Sequence, residues 1–195
     1  MAHYRKIDVG IWYDEKFRSL KAVSKLIFFH LLTHPQMTSL GTLHHSIEGL
    51  AREMNVDAKG YAEAFGEVLA KGLIHYDKNA LCVWVPNFVK YQCAESPNVI
   101  KAWVKQAQYI PECELKAKAV LALEGYVKGL SEAFREAFAK DGARLAAGYR
   151  ESLSIKHGAL STDQNLPSQP EAVIKTIGTS SDAAQNVGNG GDDEF

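Results

Sequence analysis

Seven histidines stand at positions 3, 30, 34, 44, 45, 75 and 157, and one pair among them has the spacing of a chelate. His30 and His34 are four residues apart, one helical turn, which can present two imidazoles to a single metal ion. The second precedes Pro35, no carboxylate lies between them and no HExxH pattern is present. Both therefore read as core or helix-end histidines, and no metal is expected. Cys82, Cys93 and Cys113 are widely spaced and form no CxxC pair. That argues against a zinc finger or a disulfide framework and fits a reducing compartment. Without a GxxxxGK[ST] loop there is no nucleotide-driven motor. No catalytic residue and no cofactor is expected. The sequence reads as a non-enzyme.

The remaining chemistry is charge. The 22 Lys+Arg and 23 Asp+Glu nearly cancel, but residues 1–110 carry 13 basic against 10 acidic side chains and residues 151–195 carry 2 against 7. A mildly basic body ends in an acidic tail. Phosphate attraction needs only positive charge on one face. The residues placed to supply it are Arg5 and Lys6 in an N-terminal arm, Arg52, Lys59, and Lys78-Asn79 at a turn. Tyr4, Trp12, Tyr13, Trp84, Tyr91 and Trp103 could stack on single-stranded bases. At these spacings, though, Trp12, Trp84 and Trp103 read as core.

Those residues need a scaffold, and the pattern supplies one. Residues 1–20 form an irregular arm anchored by Trp12, Phe17 and Leu20. Residues 21–34 spell a helix that is apolar nearly all round, hence buried, and Pro35 stops it. Leu40-Gly41-Thr42-Leu43 is a short strand. Ser46 caps a helix with Ile47, Leu50, Ala51 and Met54 at i, i+3, i+4 and i+7. Val56 fills the corner before a second helix, capped by Asp57, whose inner face is Tyr61, Ala64, Phe65, Val68 and Leu69; Gly72 ends it. Two strands then flank Asp77-Lys78-Asn79-Ala80, a hairpin signature. Helix, strand, helix, turn, helix, hairpin is the element order of a winged helix. The expected fold is mainly α with a small β-hairpin: a winged helix-turn-helix over residues 21–92, C-terminal helices packed on it over residues 93–150, and a disordered acidic tail over residues 151–195. Ser96 and Pro97 start the extension. Leu115, Ala119, Leu123, Tyr126, Leu130, Phe134 and Phe138 follow as one helical stripe, docked on the body or, alternatively, forming a homodimer seam. No window is long and apolar enough for a membrane span, and the absence of a leader gives a cytoplasmic expectation.

In a winged helix the second helix of the pair reads the major groove and the wing touches phosphates. Its outward residues here are Ala58, Lys59, Gly60, Ala62, Glu63 and Gly66. No Arg, Asn or Gln is available for bidentate base contacts. Sequence-specific readout by this helix alone is not expected.

Tyr4-Arg5-Lys6-Ile7-Asp8 with Ile11-Trp12, Leu31-Leu32-Thr33-His34-Pro35, and Trp84-Val85-Pro86-Asn87-Phe88 with Glu95-Ser96-Pro97-Asn98-Val99 form a set. Together they resemble the N-terminal domain of phage and prophage replication proteins, the replisome-organiser or initiator type with a winged-helix start. The resemblance spans about residues 4–140 and implies DNA binding near an origin in a bacterial host cell, with recruitment of helicase machinery. The ending Asp192-Asp193-Glu194-Phe195 is similar to the acidic tip of bacterial single-stranded-DNA-binding proteins, except that no Pro precedes the Phe. By that likeness the four residues would dock on a host or phage replication protein. Two other readings use the same elements: a winged-helix transcriptional regulator, and a protein–protein interaction module without DNA binding.

Overall fold

A computed structural model describes residues 5–160, with the side chains of 153 and 155–160 left out of the description. The chain is mainly helical around a small antiparallel three-stranded sheet.

The arm is more ordered than its composition suggests. Asp8 accepts from the Gly10 amide at 2.7 Å and starts a 3-10 turn over Val9–Tyr13; Asp14 accepts from the Phe17 amide at 2.9 Å and starts helix α1, Glu15–Arg18. Phe17 and Leu20 are buried as expected, but Trp12 is 57% exposed. Its ring lies against Phe17 and Phe29, at centroid distances of 5.4 and 5.9 Å, so it lids the core instead of entering it.

Helix α2 covers Ala22–Thr33; the residue before a proline disfavours the helical region, and His34 accordingly leaves it at ψ 134°. No local side chain caps its start. Glu67 does so from another helix: one carboxylate oxygen accepts the Lys21 amide at 3.1 Å, the other the buried Ser24 hydroxyl at 2.5 Å. A carboxylate there satisfies orphan donors and meets the positive end of the helix dipole. The all-round burial expected for α2 is corrected. Ile27, Phe28 and Leu31 are buried, whereas Val23 and Leu26 are each 56% exposed, because nothing among the described residues covers that side.

Strand β1 is Thr42–His44. Gly41 before it sits at φ +77°, and a Cβ there would come within 2.4 Å of Phe88, so only glycine fits. Helix α3, Ile47–Glu53, is capped by Ser46, and helix α4, Ala58–Ala70, by Asp57, each accepting an amide at 3.0 Å. Gly72 at φ +67°, with Leu73 N–H to Val68 C=O and Gly72 N–H to Leu69 C=O, closes α4 in a Schellman motif. Tyr61, Phe65 and Val68 are its buried face. Val56 is exposed rather than filling the corner between α3 and α4; the amide of that residue, bonded to the Ala51 carbonyl at 3.0 Å, makes the turn.

Strands β2, His75–Asp77, and β3, Cys82–Trp84, complete a sheet of order β1-β3-β2, with Leu43 and Tyr76 both opposite Val83. Alternation along β3 gives the sheet two buried faces. Val83 joins Leu43, Ile74 and the residues of α1 to α4 in one core; Cys82 and Trp84 join a second core with the C-terminal helices. Those are α5, Phe88–Gln92; α6, Pro97–Gln106, with Pro97 in its first turn; α7, Glu114–Lys128; α8, Glu132–Ala139; and α9, Gly142–Leu160. The expected single stripe is thus broken after Lys128, with Leu115 to Tyr126 on α7 and Phe134 and Phe138 on α8. Leu115, Ala119, Leu123 and Phe138 are buried, with Tyr126 and Phe134 packed against them. The stripe is spent inside the chain as this second core. Helix α9 crosses the expected boundary at 151 and runs to Leu160, whereas the remainder of the tail, including Asp192, Asp193, Glu194 and Phe195, lies outside the described residues. No helix among the described residues is long and apolar enough to cross a membrane.

Candidate functional site

Of the basic residues singled out from sequence, Arg52 and Lys59 are exposed at the end of α3 and the start of α4, and Lys78 and Asn79 are exposed at the β2–β3 turn. Asp77 Oδ1 accepts the amides of Asn79 and Ala80 at 2.9 and 3.0 Å, an Asx turn that holds the tip in one shape. On α4, Lys59 and Glu63 are exposed and Ala62 and Gly66 half-buried. Ala58 and Gly60 are exposed as well, so four of the six residues expected to face outward do so.

Arg5 and Lys6 are placed differently from a loose clamp. The Arg5 guanidinium donates to the Met37 carbonyl and lies 5.7 Å over the Phe88 ring; burial lowers its pKa. It pins the arm to the body. Lys6 pairs with Glu95 at 3.3 Å, both side chains largely exposed, an interaction of small energetic value.

A second constellation went unread in the sequence. Three imidazoles converge on one carboxylate. His34 Nε2 lies 2.7 Å and His30 Nε2 3.6 Å from Glu53 Oε2, and His45 Nε2 lies 3.2 Å from Glu53 Oε1. They come from α2, from the end of α2, from the β1–α3 connection and from the last turn of α3. The donor atoms of His30, His34 and Glu53 all fall within 4.8 Å of one another. Local hydrogen bonds fix two of the rings. His34 Nδ1 accepts the Gln36 amide at 3.1 Å, so in the neutral ring Nε2 carries the proton and donates it to Glu53. His45 Nδ1 lies 3.1 Å from the Ser46 carbonyl; it must donate there, which turns Nε2 toward Glu53. His30 Nδ1 is buried without a partner, and so is the Tyr61 hydroxyl beside it, ring centroids 6.4 Å apart.

The electrostatics follow the geometry. Burial, then the charge of His34, lowers the His30 pKa. Desolvation works to raise the Glu53 carboxyl, but the hydrogen bond from His34 and the charges of the three rings outweigh it, and the group titrates below the ordinary carboxylate value. Burial, then Glu53, raises the Tyr61 hydroxyl. Elsewhere the Cys82 thiol is pushed up to about 12 by burial and then by Cys113, which makes it a poor nucleophile.

The i, i+4 spacing of His30 and His34 was the sole sequence signal for this cluster. His45 and Glu53 join it only because α3 folds back beside the end of α2, a relation no local pattern carries. The chain matches no family model, no curated protein and no solved structure.

Proposed function

We propose that residues 21–92 are a winged helix and that the chain is a non-catalytic DNA-binding protein, of the kind used in phage or prophage replication, which holds duplex DNA mainly by its phosphates. The observation that carries this reading is topological. Elements α2, β1, α3, α4, β2 and β3 follow one another with sheet order β1-β3-β2, and Lys59 and Glu63 on α4 and Lys78 and Asn79 at the β2–β3 turn are exposed. That is the arrangement in which a helix enters the major groove and a hairpin tip meets the backbone.

The grip falls to Lys78, Asn79, Lys59 and Arg52, because Arg5 is engaged with Met37 and Phe88. From Asp57 to Lys71 the chain carries two lysines against three acids, so affinity is modest and readout of bases weak. Contact with a replication partner through Asp192–Phe195, three acids beside a phenyl ring, belongs to the same reading, as does a bacterial host cytoplasm. A salt-titrated binding assay on duplex and single-stranded DNA tests it. A steep salt slope with little sequence preference is the expected result; sequence preference that persists at high salt would assign the fold to a transcriptional regulator instead.

One observation favours an interaction module without DNA binding. Val9, Trp12, Tyr13, Val23 and Leu26 are exposed on the arm and α2, more apolar surface than an isolated domain needs there. Absence of DNA binding at about 50 mM salt, where phosphate contacts are strong, selects that reading.

A further inference from the structure

We infer that His30, His34, His45 and Glu53 form a proton-operated clasp between α2 and α3, closed by one proton held on His45 and opened when that proton leaves or a second arrives. The inference is independent of any DNA role.

Hydrogen-bond partners place the protons ring by ring. Both nitrogens of His45 face oxygen: Nδ1 lies 3.1 Å from the Ser46 carbonyl and Nε2 3.2 Å from Glu53 Oε1. Neither oxygen can donate, so both nitrogens must, and the ring in the closed clasp is an imidazolium. Without its Nε2 proton, a nitrogen lone pair would face an oxygen lone pair. His34 is the opposite case. Its Nδ1 accepts the Gln36 amide at 3.1 Å and its Nε2 donates to Glu53 Oε2 at 2.7 Å, which leaves room for one proton only. A second would set two N–H groups against each other at Nδ1. His30 has no place for a charge either. Its Nε2 stands 3.6 Å from Glu53 Oε2, too far for a good hydrogen bond, and its Nδ1 is buried without a partner. One charged ring, two neutral rings and one carboxylate leave the closed cluster with no net charge.

The fold makes room for the charged ring. Gly49 lies inside α3, where glycine is unfavourable, and a Cβ there would come within 2.2 Å of His45 Cε1. Its absence lets the imidazole lie along the helix between Ser46 and Glu53. Neighbouring groups reinforce the proton count. The Tyr61 hydroxyl faces the cluster from α4, and burial, then Glu53, raises its pKa, so it stays protonated. Burial, then the charge of His34, lowers the His30 pKa. Below the ordinary imidazole value the unfolded chain therefore binds that proton first, and acid works toward opening. A metal ion among His30, His34 and Glu53, whose donor atoms lie within 4.8 Å of one another, would need the His34 Nε2 lone pair. The Gln36 amide on Nδ1 reserves that atom for a proton.

The test uses the full chain, ¹⁵N-labelled and in chelator, with ring-nitrogen spectra and hydrogen exchange followed by NMR. At about pH 6.5 His45 should show both ring nitrogens protonated, and His34 a single proton on Nε2. Protection of the α3 amides should be greatest there and fall about two- to fivefold toward about pH 8 and about pH 5, the size expected of a largely exposed ion pair. His45→Gln, whose amide donates to Glu53 at every pH, should abolish the alkaline loss and keep the acid one. His30→Gln, which cannot charge, should move the acid loss to lower pH. Gly49→Ala should remove the doubly protonated His45 pattern while circular dichroism shows the helices intact. A singly protonated His45 at the pH of greatest protection overturns the inference, as does protection independent of pH. So does Zn²⁺ that, without chelator, protects α3 in the wild type but not in Glu53→Gln, which would make the cluster an ion site instead of a proton site.

Discussion

The two sides of the three-stranded sheet are built from different materials. On the N-terminal side, aromatic rings and aliphatic chains of α1 to α4 pack together with a polar seam: Ser24 against Glu67, and three histidines against Glu53. On the C-terminal side the core is assembled from alanines, valines and leucines along α6 to α9, with Trp103 on α6 and Trp84 on the sheet. Lys116, buried on α7, pairs with an exposed Glu112 one turn away. Such a lysine buries its stem and keeps its head near solvent. The C-terminal side is explained by burial. The N-terminal side carries polar groups that burial does not explain, and those are where binding is to be sought.

The largest expected effect tests whether the arm belongs to the N-terminal core. Phe17, fully buried, meets Phe28 and Phe29 at centroid distances of 5.9 and 5.3 Å. Phe17→Ala should cost about 3–5 kcal/mol in urea unfolding, as cavity-forming phenylalanine truncations do. On the other side Leu123→Ala, equally buried, should cost about 2–5 kcal/mol. A Phe17→Ala loss below about 1 kcal/mol would make the arm a tether and leave the C-terminal core alone as the stable body.

Next comes the seam. Ser24→Ala removes the hydroxyl that Glu67 accepts at 2.5 Å and should cost about 1–2 kcal/mol near neutral pH. The hydrogen bond from Ser24 holds the Glu67 carboxyl below its ordinary value, as do the Lys21 amide and nearby lysines, against a smaller desolvation. A depressed folded pKa contributes stability above the ordinary carboxylate range and loses it as pH falls through the lowered value. The gap between wild type and Ser24→Ala should therefore narrow in acid. A gap independent of pH would make the hydroxyl a packing element rather than the carboxylate's partner. Tyr61→Phe should move the other way. It deletes a buried hydroxyl without a partner and is expected to be neutral or to stabilise by up to about 1 kcal/mol; a clear loss would mean that the hydroxyl has a partner in solution.

What was legible in the sequence was local. Ser46, Asp57, Gly72, Pro35 and Pro97 mark helix ends through chemistry within four residues of themselves, and each sits at the helix end it was expected to mark. Ser96 is the partial exception, preceding α6 without a capping bond. The inner face of α4 was equally legible, because 3.6-residue periodicity is a property of the segment alone. From sequence, Trp12, Val56 and the whole circumference of the helix over residues 21–34 read as buried. Trp12, Val56 and the side of that helix carrying Val23 and Leu26 are nonetheless exposed, because apolar character does not say whether a partner will arrive. The capping of α2 by Glu67, across more than forty residues, has no sequence signature. Neither has the union of His30 and His34 with His45 and Glu53, which depends on how α3 lies against α2.

The smallest effect bears on the surface that joins the two sides. At the 77–80 tip an Asx turn holds Lys78 and Asn79 exposed. On the proposed DNA-binding reading, a lysine in that position would contact phosphate without reading bases. Lys78→Ala should weaken duplex binding several-fold and by the same factor on unrelated sequences. The slope of log K against log salt should become shallower by about 0.9, the share of one phosphate contact. Stability should not change, because an exposed lysine at a turn contributes little to folding. A loss confined to one sequence would put the tip in a groove instead of on the backbone. An unchanged slope would remove the hairpin from the interface and leave Arg52 on α3 and Lys59 on α4 to account for binding alone.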